Sequence, residues 1–195
     1  TPASAADPSA STTLASSPQQ RWVGVAIACC FFLSGLTSLA LETVWTKSLS
    51  YLLGADLYGA ATTIVAYMAG LGLGAILAVR WAAKLRPPLL VYALLQLAIG
   101  VLGMVSVPAL MGTSGLFEVL YGLSSHHVVF LTLRFLVTFA ALLPATTLMG
   151  MTLPTIIGAH GLFRTSSPAA VGLLYGLNTL GAVAGTVLAA FLLVP

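Results

Sequence analysis

The polar residues of this chain fall in clumps, and long uncharged runs lie between them. Trp22–Leu41 is the first such run, twenty residues without a charged side chain. A helix needs about 20 residues to cross a hydrocarbon core about 30 Å thick. Four further runs follow, so we read spans at about 22–41, 58–79, 88–111, 128–157 and 170–194. The first helix has the composition to continue as far as Leu53. The runs are continuous and do not alternate polar with apolar, which excludes the strands of a transmembrane barrel. The pattern predicts an all-α, polytopic transmembrane helix bundle of about five spans. Span four is long and contains Pro144 and Pro154, so a kink or break is expected there.

Residues 1–20 read differently. They are mostly Ala, Ser, Thr and Pro, with Asp7 as the one charge and Leu14 as the one large apolar residue. Such a segment cannot bury a core and is expected to be a disordered tail, leaving 21–195 as the transmembrane domain. A signal-peptide reading of Arg21–Ala40 is the alternative, but its apolar run exceeds a typical signal core.

Composition removes the soluble classes. The chain is 59% hydrophobic and 6% charged, against about 25% charged in soluble domains. The net charge of +3 matters through its placement. Arg21, Arg80, Lys84, Arg86 and Arg164 fall on one side of the spans, and Glu42, Lys47, Asp56 and Glu118 on the other. The positive-inside rule then puts the N-terminus in the cytoplasm and the chain in the cytoplasmic (inner) membrane. The expected surroundings are the lipid bilayer and other membrane subunits, with no nucleic acid. An odd span count ending at Pro195 without a polar tail is expected of a fragment or of a chain that continues.

Small residues mark where helices touch, because lipid supplies no hydrophobic drive between them. Thr62, Ala66, Gly70, Gly74 and Ala78 form a stripe in span two; Gly172 with Gly176, and Gly181 with Gly185 and Ala189, recur in span five. These are helix-packing candidates, meeting each other or a partner chain. Trp22, Trp45, Tyr51, Tyr58, Trp81 and Tyr92 lie near span ends, as interfacial anchors do.

Arg134 is the one charge well inside a span, and Glu42 and Lys47 close span one on the same side. We expect the three at similar depth, with Glu42 and Arg134 paired, for structure or to line a polar cavity. A proton or substrate role and snorkelling of Arg134 to the interface are the alternatives. Asn178, mid-span, is expected to make an interhelical hydrogen bond. His126 and His127 read as an interfacial loop, with metal or haem ligation as the minority reading. Adjacent Cys29 and Cys30 read as small packing residues. The GLGLG run Gly70–Gly74 lacks the spacing and the preceding strand of a dinucleotide loop. No catalytic set and no cofactor motif is visible, so neither a catalytic residue nor a cofactor is expected.

Four segments in register resemble the membrane domain of fused MFS/spermidine synthase proteins. They are Phe32–Gly54 (FLSGLTSLALETVWTKSLSYLLG), Tyr67–Pro88, Leu142–Ile156 and Val171–Pro195. The resemblance covers about 22–195. It implies that Glu42 and Lys47 match an acidic-then-basic pattern after the first helix, and that Arg80–Arg86 is the basic loop of a major-facilitator-like partial half. Major-facilitator halves are built from three-helix inverted repeats, which would make spans two and five equivalents, aligned through Tyr58-Gly59 and Tyr175-Gly176. In that family a Rossmann-like domain similar to polyamine aminopropyltransferases follows the membrane region, and nothing in these 195 residues resembles it. The leading expectation is a non-catalytic membrane subunit or anchor within a larger complex. The alternatives are the membrane half of an aminopropyltransferase-like enzyme and a transporter of polyamines or other organic cations.

Overall fold

The computed structural model describes residues 18–53, 56–81, 87–123, 127–157 and 168–193. All of them are helical except Pro87 and Thr113. The helices are α1 (Pro18–Leu53), α2 (Asp56–Trp81), α3 (Pro88–Gly112), α4 (Ser114–Leu123), α5 (His127–Ile157) and α6 (Pro168–Leu188), which ends in a π-helical turn, Ala189–Leu193. Five stretches are long and apolar enough to cross a membrane, with α3 and α4 forming one of them. The chain is thus a multi-pass, all-α membrane bundle, as its hydrophobic pattern predicts.

The helix limits bear out one expectation and correct two others. The first helix does run on to Leu53 and has 36 residues, about 54 Å at 1.5 Å per residue. It therefore outlasts the hydrocarbon core by several turns. Helix α5 continues through both prolines without a break; neighbouring helices make the lost backbone bond tolerable within a membrane bundle. Span three does not stop near 111, since α4 resumes after a single turn residue. Of the expected tail over 1–20, residues 1–17 lie outside the described residues, and Pro18–Gln20 begin α1. Lys84, Arg86, Arg164 and His126 also lie outside them, as do the side chains of Arg21, Asp56 and His127.

Two helix pairs dominate the packing, α2 with α5 and α1 with α6. Both are built on glycine. A methyl group added at Gly74 would fall on the Thr147 carbonyl, and one at Gly150 on the Leu71 carbonyl. In the other pair, a methyl at Gly181 would fall on the Phe32 carbonyl, and one at Gly35 on the Asn178 carbonyl. These contacts share a single register, in which Gly35 answers to Gly150, Phe32 to Thr147, Asn178 to Leu71 and Gly181 to Gly74. The register extends one turn further. Ala78 clusters with Met151, and their counterparts Gly185 and Leu36 also touch. The molecule therefore contains a repeated helix pair. Its register places Tyr58-Gly59 and Tyr175-Gly176 out of step, so the alignment of spans two and five through those dipeptides is corrected.

Ala66, Gly70, Gly74 and Ala78 of the span-two stripe meet α5. Besides Gly70 against Thr146, the Thr146 hydroxyl reaches the Ala66 carbonyl at 3.3 Å. Gly181, Gly185 and the buried Ala189 face α1. Gly172 and Gly176 have no atom within reach of an added methyl, so that pair seals no contact among the described residues.

Trp45 and Tyr92 are buried and do not anchor the interface. The Trp45 indole donates to Ser106 at 2.7 Å, which itself donates to the Gly103 carbonyl at 2.8 Å. Tyr92 stacks on Phe31 with centroids 5.5 Å apart. Both tie α1 to α3. Trp22, Tyr51, Tyr58 and Trp81 are exposed at helix ends, where interfacial aromatics belong.

Leucine at Gly74 or Gly181 is expected to cost about 1–3 kcal/mol by overpacking. It should lower the thermal unfolding midpoint in detergent by several degrees. Leucine at Gly72 or Gly100, which face open space, should leave the midpoint in place.

Candidate functional site

The charged side chains Glu42, Lys47, Glu118 and Arg134 gather toward the end where α1 outlasts the hydrocarbon. Counted from Trp22, Glu42 lies about 30 Å along the helix, at the far edge of the core. Leu52 lies ten residues later, about 15 Å further out.

Arg134 meets α1 at that outer level. Its guanidinium donates to the Leu52 carbonyl. Leu52 belongs to the last turn of α1, whose carbonyls have no partner within the helix and carry the negative end of its dipole. The guanidinium also lies over the rings of Phe117 and Phe130, 5.0 and 5.2 Å from their centroids, as a cation–π contact requires. Arg134 therefore caps α1 and ties α1, α4 and α5 together. Its Nε, and the Thr138 hydroxyl one turn away, are buried without a hydrogen-bond partner among the described residues. Glu118 shares the same cleft of about 480 Å³ with Arg134, and no salt bridge joins the two.

Glu42 is elsewhere. The expected Glu42–Arg134 pair does not form: the two line different pockets, because α1 carries its own end past Glu42 to reach Arg134. The structure brings Glu42 together with Lys47 instead. Both line a groove of about 530 Å³ between α1, α2 and α6, with Leu39, Thr43, Thr46, Ser50, Ala60, Thr186 and Ala190. Glu42 is half-buried there and Lys47 is exposed. Among the described residues the Glu42 carboxylate has no ion pair and no hydrogen bond. The Tyr67 phenol, hydrogen-bonded with Ser38, lies within electrostatic reach of it. The Lys47 ammonium lies 5.2 Å from the centroid of the Tyr51 ring. The π-helical turn at the end of α6 supplies Ala190 to the groove wall.

Three hydroxyls around Glu42 are oriented. Thr43 donates to the Leu39 carbonyl at 2.8 Å, Ser50 to Thr46 at 3.0 Å and Thr186 to Ala182 at 3.1 Å. Each proton is committed to its own helix, so what these oxygens present to the groove is acceptor lone pairs. The chemistry of the wall is a carboxylate, a mobile ammonium and several acceptors.

Asn178 is not part of this site. Its backbone carbonyl abuts Gly35, and its side chain makes no hydrogen bond among the described residues. The expected interhelical bond is replaced by backbone packing. Cys29 and Cys30 are free and exposed, and do not fill the core. No group of His, Cys, Asp and Glu that would hold a metal exists among the described residues. The residues missed in the sequence were Thr43, Ser50 and Thr186. Their only signal was a hydroxyl one or two turns from the ends of apolar runs.

Arg134→Met should destabilise the detergent-solubilised protein by about 1.5–3 kcal/mol, the worth of a hydrogen bond to a charged group. Arg134→Lys should recover only part, since one ammonium cannot both stack between two rings and reach Leu52. The double swap Glu42→Arg with Arg134→Glu should unfold no later than Arg134→Glu alone; mutual rescue would restore the ion pair.

No family model, no curated protein and no solved structure matches this chain.

Proposed function

We propose that the chain is a non-catalytic integral-membrane subunit that packs against an apolar transmembrane helix of another chain. The observation that carries this reading is an inequality between the two halves of the repeated pair. In α5, Ala145 and Thr152 are buried, and Leu148 packs against the cluster that holds Leu95 of α3. Their counterparts on α1 in the shared register are Cys30, Thr37 and Leu33. All three are exposed, Leu33 to 56%. With Ala26, also exposed, they form one stripe along α1. Helix α1 thus has the surface that α5 gives to α3, without a helix on it among the described residues.

The resemblance to the membrane region of fused MFS/spermidine synthase proteins supports the same reading. In that family the corresponding region is the membrane-embedded part of the protein. The clumping of Arg21, Arg80, Lys84, Arg86 and Arg164 toward one side supports an inner-membrane location with a cytoplasmic N-terminus.

The test is photo-crosslinking in native membranes from a benzophenone side chain placed at position 33. Position 104 on α3, where Met104 is 83% exposed, serves as the lipid-facing reference. A protein adduct of defined mass from position 33, with lipid adducts alone from position 104, is the expected result. Lipid adducts alone from both positions would overturn the subunit reading.

A further inference from the structure

We propose that the groove holding Glu42 and Lys47 binds a primary-amine phosphate ester, supplied as the headgroup of an aminophospholipid. The site stands apart from the partner-facing stripe of Cys30, Leu33 and Thr37, which lies on another face of α1, so either reading can fail without the other.

The charge pattern selects a molecule with both signs. Glu42 is half-buried in the groove with no ion pair and no hydrogen bond among the described residues. A buried or half-buried carboxylate is costly unless paired, and at a membrane edge it attracts a cation. A simple cation would meet Lys47 in the same groove, and a simple anion would meet Glu42. The two residues are five apart on α1, about 7.5 Å in rise. The Lys47 stem swings its ammonium through several ångströms more. An ammonium joined to a phosphate by a two-carbon bridge places its charges within that span. Lys47 now rests against Tyr51, a contact worth about 0.5–1 kcal/mol at exposed sites, which a phosphate would displace.

The hydroxyls select the kind of ammonium. Thr43 and Thr186 have given their protons to backbone carbonyls and offer acceptors only. They lie on facing helices, α1 and α6, on the groove shared with Glu42. A primary ammonium donates three N–H bonds, one to the carboxylate and the others to these oxygens. A trimethylammonium donates none. The groove therefore favours an ethanolamine headgroup over a choline headgroup.

Its position selects a lipid. The groove lies between α1, α2 and α6 at the edge of the hydrocarbon core, with Leu39, Ala60 and Ala190 as apolar wall. A headgroup enters sideways from the bilayer while its chains stay in the core.

The full-length chain, delipidated in detergent, is titrated with phosphatidylethanolamine, phosphatidylcholine or phosphatidylglycerol and read by native mass spectrometry. Phosphatidylethanolamine is expected to bind about 10–100-fold more tightly than phosphatidylcholine, the factor for one or two charge-assisted hydrogen bonds. Glu42→Gln should abolish that preference. Lys47→Gln should weaken phosphatidylethanolamine while keeping its preference over phosphatidylcholine. Thr186→Val, which keeps shape and removes one acceptor, should weaken phosphatidylethanolamine alone. Equal affinity for the ethanolamine and choline lipids in the unaltered protein, or a preference that survives Glu42→Gln and Thr186→Val, would overturn the proposal. Free phosphoethanolamine, added as competitor, separates the sources. Failure to displace the lipid supports the membrane source, and displacement at equal concentration would overturn it in favour of a soluble amine phosphate.

Discussion

Within lipid, an apolar side chain gains nothing by leaving its surroundings for another helix, because both are equally apolar. What holds two helices together there is the number of atoms brought to contact distance. That number rises steeply when backbones approach. The four glycines Gly35, Gly74, Gly150 and Gly181 make this approach possible, each lying against a carbonyl of the opposite helix. Every other contact in the bundle is laid over these two pairs. The Trp45–Ser106 bond and the Phe31–Tyr92 stack lock α3 onto a frame that α1, α2, α5 and α6 already define.

The same frame sets the fate of the charges. Because α1 is held against α6 over much of its length, it projects as a rigid rod past the hydrocarbon edge. Its last carbonyls then need partners, and Arg134 reaches one of them. The guanidinium is thereby consumed by helix capping and by two aromatic faces. Glu42, deeper on the same rod, is left facing a groove with Lys47 and a row of hydroxyl acceptors. One structural residue and one candidate binding residue thus arise from charges that look alike in the sequence.

The repeated pair also gives meaning to exposure. Long apolar side chains on a membrane protein face lipid by default, so exposure alone identifies no partner. The proposed partner face rests on comparing α1 with α5: one register matches the two helices residue by residue, and among the described residues only α5 carries a helix on that face.

Much of the architecture was legible in the chain. Uncharged runs of about 20 residues dictate spanning helices, since no other backbone state satisfies its hydrogen bonds in hydrocarbon. Spacing of four in Thr62–Ala78 marks a helix face that must meet another closely. These are local properties, set by covalent spacing and by the bilayer as solvent. Which stripes meet, and in what register, depends on contacts between residues separated by more than seventy positions, and no local pattern encodes them. The same holds for Trp45, which carries an interfacial anchor's composition but lies opposite Ser106, and for Arg134, whose partner is a backbone carbonyl that exists as an acceptor only because α1 ends there. The sequence by itself determined the bilayer-spanning class and the candidate polar residues. The tertiary structure alone decided their partners, because pairing follows from helix ends, depths and faces that appear only when the rods are packed together.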